Sequence, residues 1–541
     1  MSLLRIKGGR VVDPANGVND VVGDVWIEHG RVVAAPSDPA ARPDRTIDAR
    51  GYVVMPAGVD VHSHIAGAKV NAARMLRPDH RRDSDFDPPG SPRVPRRGTE
   101  GRVPSTVATG FQYAGLGYGT ALDASIPPLG ARQARLELDD TPIIDKAFLV
   151  LLGNNHAVMD RVARGDRAAL RDYVAWVTKA TGAYGVKIVN PGGVERWKQG
   201  RGNVSTLDDD VDGFNVSPRA IIESLADAVD SLALPHPVHI HGLNLGLPGN
   251  AEVTLETLRA LEGRRAHFAH IQFHSYGGTL DDVDSIASQV SLLADYINTH
   301  AGLSVDVGQV VFGETMSMTA DGAVGRFLHR LTGRPWVSQD IEAETGCGIV
   351  PITYRDTNSI HALQWAVGLE WFLRVDDPWR VALGTDHPNG GSFLSYPQII
   401  ALLMDPARRL EALRHLPEKV RARSGLADLP RAYTLSEIAI ITRAAPARML
   451  GLDRKGHLGP GADGDVAIYS VDDDLERMFA FPRYLLKAGV VVLDDGEIRA
   501  EPPGATIAVN PEFDRDAIPA IAAEFERTTS IRYRNFVLND V

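Results

Sequence analysis

The sequence predicts an α/β protein: a (β/α)8 TIM-like barrel carrying a small β-sandwich domain formed from both chain ends. Three observations lead there. Strand-like runs alternate with helical ones through the middle of the chain, the pattern of βα units around a parallel sheet. Several of those strand runs end in a polar residue, as they do where the carboxyl ends of barrel strands build a site. Short strands broken by glycine turns occupy both ends of the chain in the same style, and 541 residues suit a barrel with insertions plus one smaller domain.

Composition limits the chemistry. The hydrophobic fraction of 44% is ordinary for a globular chain, and no apolar run approaches membrane-spanning length. Met1 to Arg5 lead directly into a strand pattern rather than a signal peptide, so a cytoplasmic protein is expected. With 57 basic against 69 acidic residues and a net charge of -12, neither nucleic acid nor an acidic membrane is an expected partner. A single cysteine, Cys347, excludes an internal disulfide and any metal site built from several cysteines. Metal chemistry would rest on His, Asp, Glu or a modified Lys.

In chain order, residues 1–55 read as short strands, among them Arg5-Ile6-Lys7, Arg10-Val11-Val12, Asp24 to Glu28 and Gly30 to Val33. Residues 453–510, with Val466 to Tyr469 and Val490 to Leu493, should complete the same domain, and 511–541 form a tail suited to packing or partner contact. The barrel is expected over 56–452. Its strands are read at Gly58 to His64, Gly119 to Asp123, Ala147 to Leu151, Gly185 to Val189, Pro237 to His241, Ala266 to His270 and Val381 to Gly384. Helices are expected over Ser217 to Leu232, Val253 to Leu261 and Asp281 to His300. Residues 77–102 form an Arg- and Pro-rich insertion without a period.

The candidate site grows strand by strand. Side chains alternate along an extended chain, so His62 and His64 share one face while Val59 and Val61 pack outward. Two imidazoles are half a metal site. Lys187 lies mid-strand, where burial lowers an ammonium's pKa and frees the amine. A free amine can add carbon dioxide, and the resulting carbamate has two oxygens able to bridge two cations; a lysine paired with a carboxylate is the plainer alternative. His241, at its strand's carboxyl end, is the next ligand, with His239 a supporting or core residue. His270 shares a face with Gln272 and His274 and is the fourth imidazole. Asp386, just past the last strand, can ligate and also move a proton, whereas His387 points away.

Around these, Asn71, Asn190, Asn244 and Gln272 are candidates for orienting an amide, and His274 for touching substrate, although ordinary loop hydrogen bonding would also explain them. Arg74, Arg77, Arg81 and Arg82 open the insertion. They suit either a solvated or subunit-contact surface or a clamp on an anionic substrate tail.

The order H-x-H, Lys, His, His, Asp resembles the binuclear zinc, carboxylated-lysine branch of the amidohydrolase superfamily. The segments His64 to Asn71, Gly185 to Gly193, His241 to Gly246, His270 to His274, Gly313 to Gly322 and Thr385 to Gly391 are more specific. They resemble the A subunits of formylmethanofuran dehydrogenases and of bacterial formyltransferase/hydrolase complexes. That resemblance implies two zinc ions bridged by carboxylated Lys187 and hydroxide, with Asp386 as the catalytic proton carrier. It implies hydrolysis of the formyl amide of a methanofuran-type (methylofuran) carrier with a polyglutamate tail, in one-carbon metabolism, beside B, C and formyltransferase D subunits. Arg-rich, Lys-poor composition favours the bacterial hydrolase over the archaeal protein that joins formate to methanofuran. A cyclic amide hydrolase of the dihydroorotase or hydantoinase type, or an inactive scaffold subunit, would keep the same fold.

Overall fold

The computed structural model describes residues 3–38, 42–76, 103, 105–339 and 347–538. Arg77, Arg81, Arg82 and the rest of the 77–102 insertion lie outside them.

Eight parallel strands pair in chain order: Gly58–Ser63, Tyr118–Ile126, Asp145–Leu151, Gly185–Val189, Val238–His241, Ala266–Phe268, Leu303–Asp306 and Val381–Ala382. The seam between the last and the first is closed just past the final strand, where Ser63 bridges His387 and the His64 N–H donates to the His387 carbonyl at 2.9 Å. A closed ring leaves no open edge. Val59 and Val61 are buried on its outer side in one cluster with Leu122, Ala445 and Leu450, so the apolar half of the H-x-H strand packs beneath a helix as its alternation predicts.

The two chain ends meet in a nine-stranded sheet. Val466–Ser470 pairs antiparallel with Tyr52–Pro56, which in turn lies parallel to Leu4–Asp13. Its buried face gathers Ile6, Val25, Ile27, Val54, Ile468 and Leu486. Tyr52–Pro56 runs straight into the first barrel strand, and the Ala57 N–H is held by the Asp465 carbonyl at 2.9 Å, so the sheet fixes where the barrel begins. Beyond the end sheet the chain crosses the barrel wall: Lys146 and Ala183 bond to residues 505, 507 and 509, and the Trp176 indole donates to the Tyr533 hydroxyl in the tail at 3.0 Å.

One expectation needs correction. Asp281 to His300 is not one helix: Tyr276–Thr279 and Asp282–Ser288 form a hairpin, and the helix covers only Val290–Thr299. The alternation Val-Asp-Ser-Ile-Ala-Ser at 283–288 is a strand pattern that adjoining helical residues obscured. The short strand Leu303–Asp306 had no counterpart in the sequence reading. Beyond it, Gly313–Thr319 and Cys347–Tyr354 pair antiparallel and, with the helix Gly322–Thr332, stand over the barrel mouth.

Candidate metal centre

The barrel interior is polar where aliphatic layers are usual. Register places Lys187 beside His239 and His239 beside His267 in one layer across three adjacent strands. Above that layer, at the carboxyl ends, one cavity of about 180 Å³ is lined by His62, His64, Lys187, His241, His270 and Asp386. Chain positions more than three hundred apart therefore reach a single space.

Three donor atoms converge on one side. His62 Nε2 and His64 Nε2 each lie 3.1 Å from Asp386 Oδ1. His241 and His270 occupy the other side, ring centroids 4.6 Å apart, with His274 completing a second cluster whose nitrogens lie within 4.8 Å of one another. Lys187 Nζ, His241 Nε2 and His270 Nδ1 are buried and have no hydrogen-bond partner among the described residues. Buried polar atoms are nearly always partnered. Imidazole nitrogens and an amine left without partners around one cavity, with a buried carboxylate among them, suit a pair of divalent cations.

Electrostatics point the same way. Burial pulls the Lys187 ammonium down to about 7, against the opposing pull of Asp306 and Asp386. Burial also holds His241 and His270 far below the usual imidazole range, which keeps their lone pairs free. For Asp386 burial works against the charge, but His270 and His62 outweigh it and keep the carboxylate ionised. Burial likewise opposes a proton on His62, yet Asp306 and Asp386 raise its pKa overall. Surroundings that attract a proton to that ring attract a metal cation equally.

Asp306 is the residue the sequence reading missed. Its Oδ2 lies 3.0 Å from His62 Nδ1 and 3.1 Å from His267 Nε2, and its Oδ1 accepts the His270 N–H at 2.9 Å. One carboxylate thus orients two cavity histidines. The signal was present: Leu303-Ser304-Val305-Asp306 alternates and ends in a polar residue, as several of the other strand runs do. Beneath His62 a file of imidazoles continues. His239 Nε2 is 3.1 Å from His62 Nδ1, His236 Nε2 is 3.0 Å from His239 Nδ1, and His236 Nδ1 is 2.8 Å from the Met449 carbonyl. A carbonyl only accepts, so His236 carries its proton on Nδ1; its Nε2 then accepts from His239 Nδ1. His239, on the same face as His241 but further from the strand's carboxyl end, supports His62 through that 3.1 Å contact. From the wall, Asp60 accepts the His62 N–H at 3.0 Å and is braced by the Tyr113 and Tyr396 hydroxyls, each at 2.6 Å.

Parity alone does not explain His270 and Asp386. Their strands stop at Phe268 and Ala382, and the two residues adopt left-handed backbone, φ 35° and 52°. Asn190 at 41° and Asn244 at 57° do the same past two other strands. Strained backbone outside glycine clusters at functional sites.

The candidate substrate contacts fall differently. Asn71 donates to Glu137 at 2.8 Å and accepts from Arg74, whose guanidinium also holds the Ile65 carbonyl. Asn190 donates to Asn203 at 2.9 Å, Asn244 to the Ser205 carbonyl at 2.9 Å, and Gln272 to the Gly308 carbonyl at 3.2 Å. None of these five lines the cavity, and their bonds fix loops and the first helix after the barrel's opening strand. His274 is fully buried behind His241 and His270. Cavity residues absent from the sequence reading include Lys69, Ser125 and an apolar upper wall with Leu245, Val324, Phe327 and Leu331.

Comparisons agree with this geometry. The chain is 43% identical to FwdA of Methanocaldococcus jannaschii, covering 99% of this chain and 96% of that protein. It is 44% identical to the A subunit of the formyltransferase/hydrolase complex Fhc of Methylorubrum extorquens, covering 95% and 92%. It superposes with a TM-score of 0.91 and 41% identity, over 99% of this chain and 97% of the other, on the crystal structure of that organism's FhcABCD complex with methylofuran. The amidohydrolase family model matches residues 45–493. Barrel, cavity and relatives together establish that the chain belongs to the amidohydrolase family.

Proposed function

We propose that this chain hydrolyses the formyl amide of a methanofuran-type (methylofuran) carrier, releasing formate and the free amine. It would do so as the A subunit of a cytoplasmic formyltransferase/hydrolase complex with B, C and D subunits. The observation that carries the reading is the single cavity shared by His62, His64, Lys187, His241, His270 and Asp386. Near-full-length identity to the A subunit of Fhc, and the superposition on the FhcABCD complex with methylofuran, support the carrier and the partners.

His62, His64, His241, His270 and Asp386, with Lys187 as its carbamate, would hold two zinc ions. When bound, such a pair lowers the pKa of water to about 7 and polarises a carbonyl. The chain's own residues do the rest. Asp386, kept ionised by its imidazole neighbours, takes a proton from the attacking water and returns it to the departing nitrogen. An amine expelled without that proton is a poor leaving group. The apolar wall of Leu245, Val324 and Phe327 receives the carrier beside its formamide, because a formyl carbon bearing only hydrogen offers no handle of its own.

Identity to FwdA over nearly the whole chain favours a second reading, joining formate to methanofuran, which is the same reaction reversed at the same site. A cyclic amide hydrolase is set apart by a substrate panel, and an inactive scaffold by zinc analysis.

Formate release from an N-formyl amine by the zinc-loaded complex is the direct test. Asp386→Asn should lower turnover by about 10³-fold, the scale of losing a positioned acid–base. Equal rates would remove Asp386 from the chemistry.

A further inference from the structure

One cation in the cavity has no role in the steps above. Lys69 stands on the helix Ala68–Leu76, which follows the first barrel strand, and lines the same cavity as Lys187 and Asp386. It is only 9% exposed. Its Nζ donates to the Ser125 hydroxyl at 3.4 Å, and among the described residues no carboxylate pairs with it. A buried ammonium whose one partner is a distant hydroxyl is costly unless something of opposite charge joins it. Its field reaches Lys187, whose protonation it opposes.

The proposed reaction supplies such a charge. Water and a neutral formamide enter; the C–N bond breaks, a C–O bond forms, and a carboxylate and an ammonium leave with no electron exchanged. Before the bond breaks the one-carbon unit is uncharged; afterwards it carries a full negative charge. A lysine ammonium, a compact point charge, fits a carboxylate too small to need a two-pronged guanidinium grip.

We propose that Lys69, assisted by the Ser125 hydroxyl, forms a binding subsite for the carboxylate of formate. This rests on the formyl-amide reading. For an enzyme working toward hydrolysis the subsite sets how strongly product inhibits. In the reverse direction it captures the substrate.

The test uses the assembled, zinc-loaded complex with sodium formate as the probe. Formate affinity is read from ¹³C line broadening and from inhibition of N-formyl amine hydrolysis. Lys69→Met should weaken both by about tenfold or more, the effect of losing one charge-assisted hydrogen bond. KM for a neutral N-formyl amine should change far less, and Lys69→Arg should recover part of the formate affinity. Equal formate affinity in wild type and Lys69→Met overturns the proposal. So does loss of zinc and of the Lys187 carbamate ¹³C signal in Lys69→Met, since the ammonium would then serve the lysine instead. A wild-type complex that binds formate but releases none from any formyl amine overturns the parent reading, a result distinct from the loss of formate affinity in the variant.

Discussion

In the proposed metal centre, Lys187 is the position that would set conditions for the rest. Its amine must be neutral to take up carbon dioxide, and burial brings its pKa to about 7. Below that pH the group is an ammonium and cannot form the carbamate. Reconstitution of metal-free protein with zinc and bicarbonate should therefore be slow near pH 6 and rise as the pH passes through about 7, levelling off above it. Zinc incorporated per chain over time checks this, and a profile flat from pH 6 to 8 would contradict it. Residue identities of this kind were readable from sequence because their chemistry is unusual for their place. A lysine inside a strand and imidazoles at strand ends stand out against apolar neighbours. Asp306 did not stand out, since its importance lies in three bonds made across the barrel to His62, His267 and the His270 backbone. For the amide-bearing candidates the bonds present are those of the loop alternative: Asn and Gln beside a site are as useful for tying loops as for touching substrate.

At the scale of elements, the strand-to-loop junctions hold the site's geometry. Gly308 follows the strand Leu303–Asp306 with φ 65°, and a Cβ there would sit 2.4 Å from His270 Cβ and 2.8 Å from His270 Cα. Gly308→Ala therefore combines left-handed strain with a clash against the backbone of His270, a proposed metal ligand. It should cost about 2–3 kcal/mol of stability. Zinc content should fall as well, because His270 must move. Thermal unfolding and metal analysis of the same preparation test both halves; normal zinc with normal stability would show that the junction yields. The barrel strands were largely legible, since buried parallel strands read as β-branched runs between glycines. What sequence could not show was the geometry after each strand ends. His270 reaches the cavity through a left-handed turn and not through the strand parity that singled it out. The mouth was equally hidden: among the described residues Cys347–Tyr354 pairs antiparallel with Gly313–Thr319 and with Val337–Gln339, in a small sheet separate from the barrel strands, so no βα rhythm announces it.

For the molecule as a whole, barrel and end sheet are joined by buried charge. Lys487 Nζ lies 2.6 Å from Asp145 Oδ2, at the foot of the third barrel strand, and 2.5 Å from Asp465 Oδ2 in the segment entering the sheet. Lys455 shares both carboxylates and also reaches Asp463. Removing one cation leaves buried carboxylates short of a partner, so Lys487→Met should cost about 3 kcal/mol and lower the melting temperature. The pH dependence has a definite sign. Burial opposes the Asp465 charge, but Lys487 and Lys455 outweigh it and bring its pKa to about 2, below the value near 3.9 of an unfolded Asp. Its contribution is complete above pH about 4 and drains away as the pH falls toward about 2, because the unfolded chain takes up the proton first. Acid titration of stability in wild type and Asp465→Asn reads that difference, and parallel curves would refute it. The membership of the end sheet has a further result for biosynthesis. Tyr52–Pro56, which steers the H-x-H strand into the barrel, is clamped by Val466–Ser470. On the ribosome the early segment must wait, unpaired along that edge, until nearly the entire polypeptide has emerged. The proposed metal loading would accordingly belong to the finished chain, since a nascent protein stalled before the last barrel strand would offer the two H-x-H imidazoles without the carboxylate that faces them.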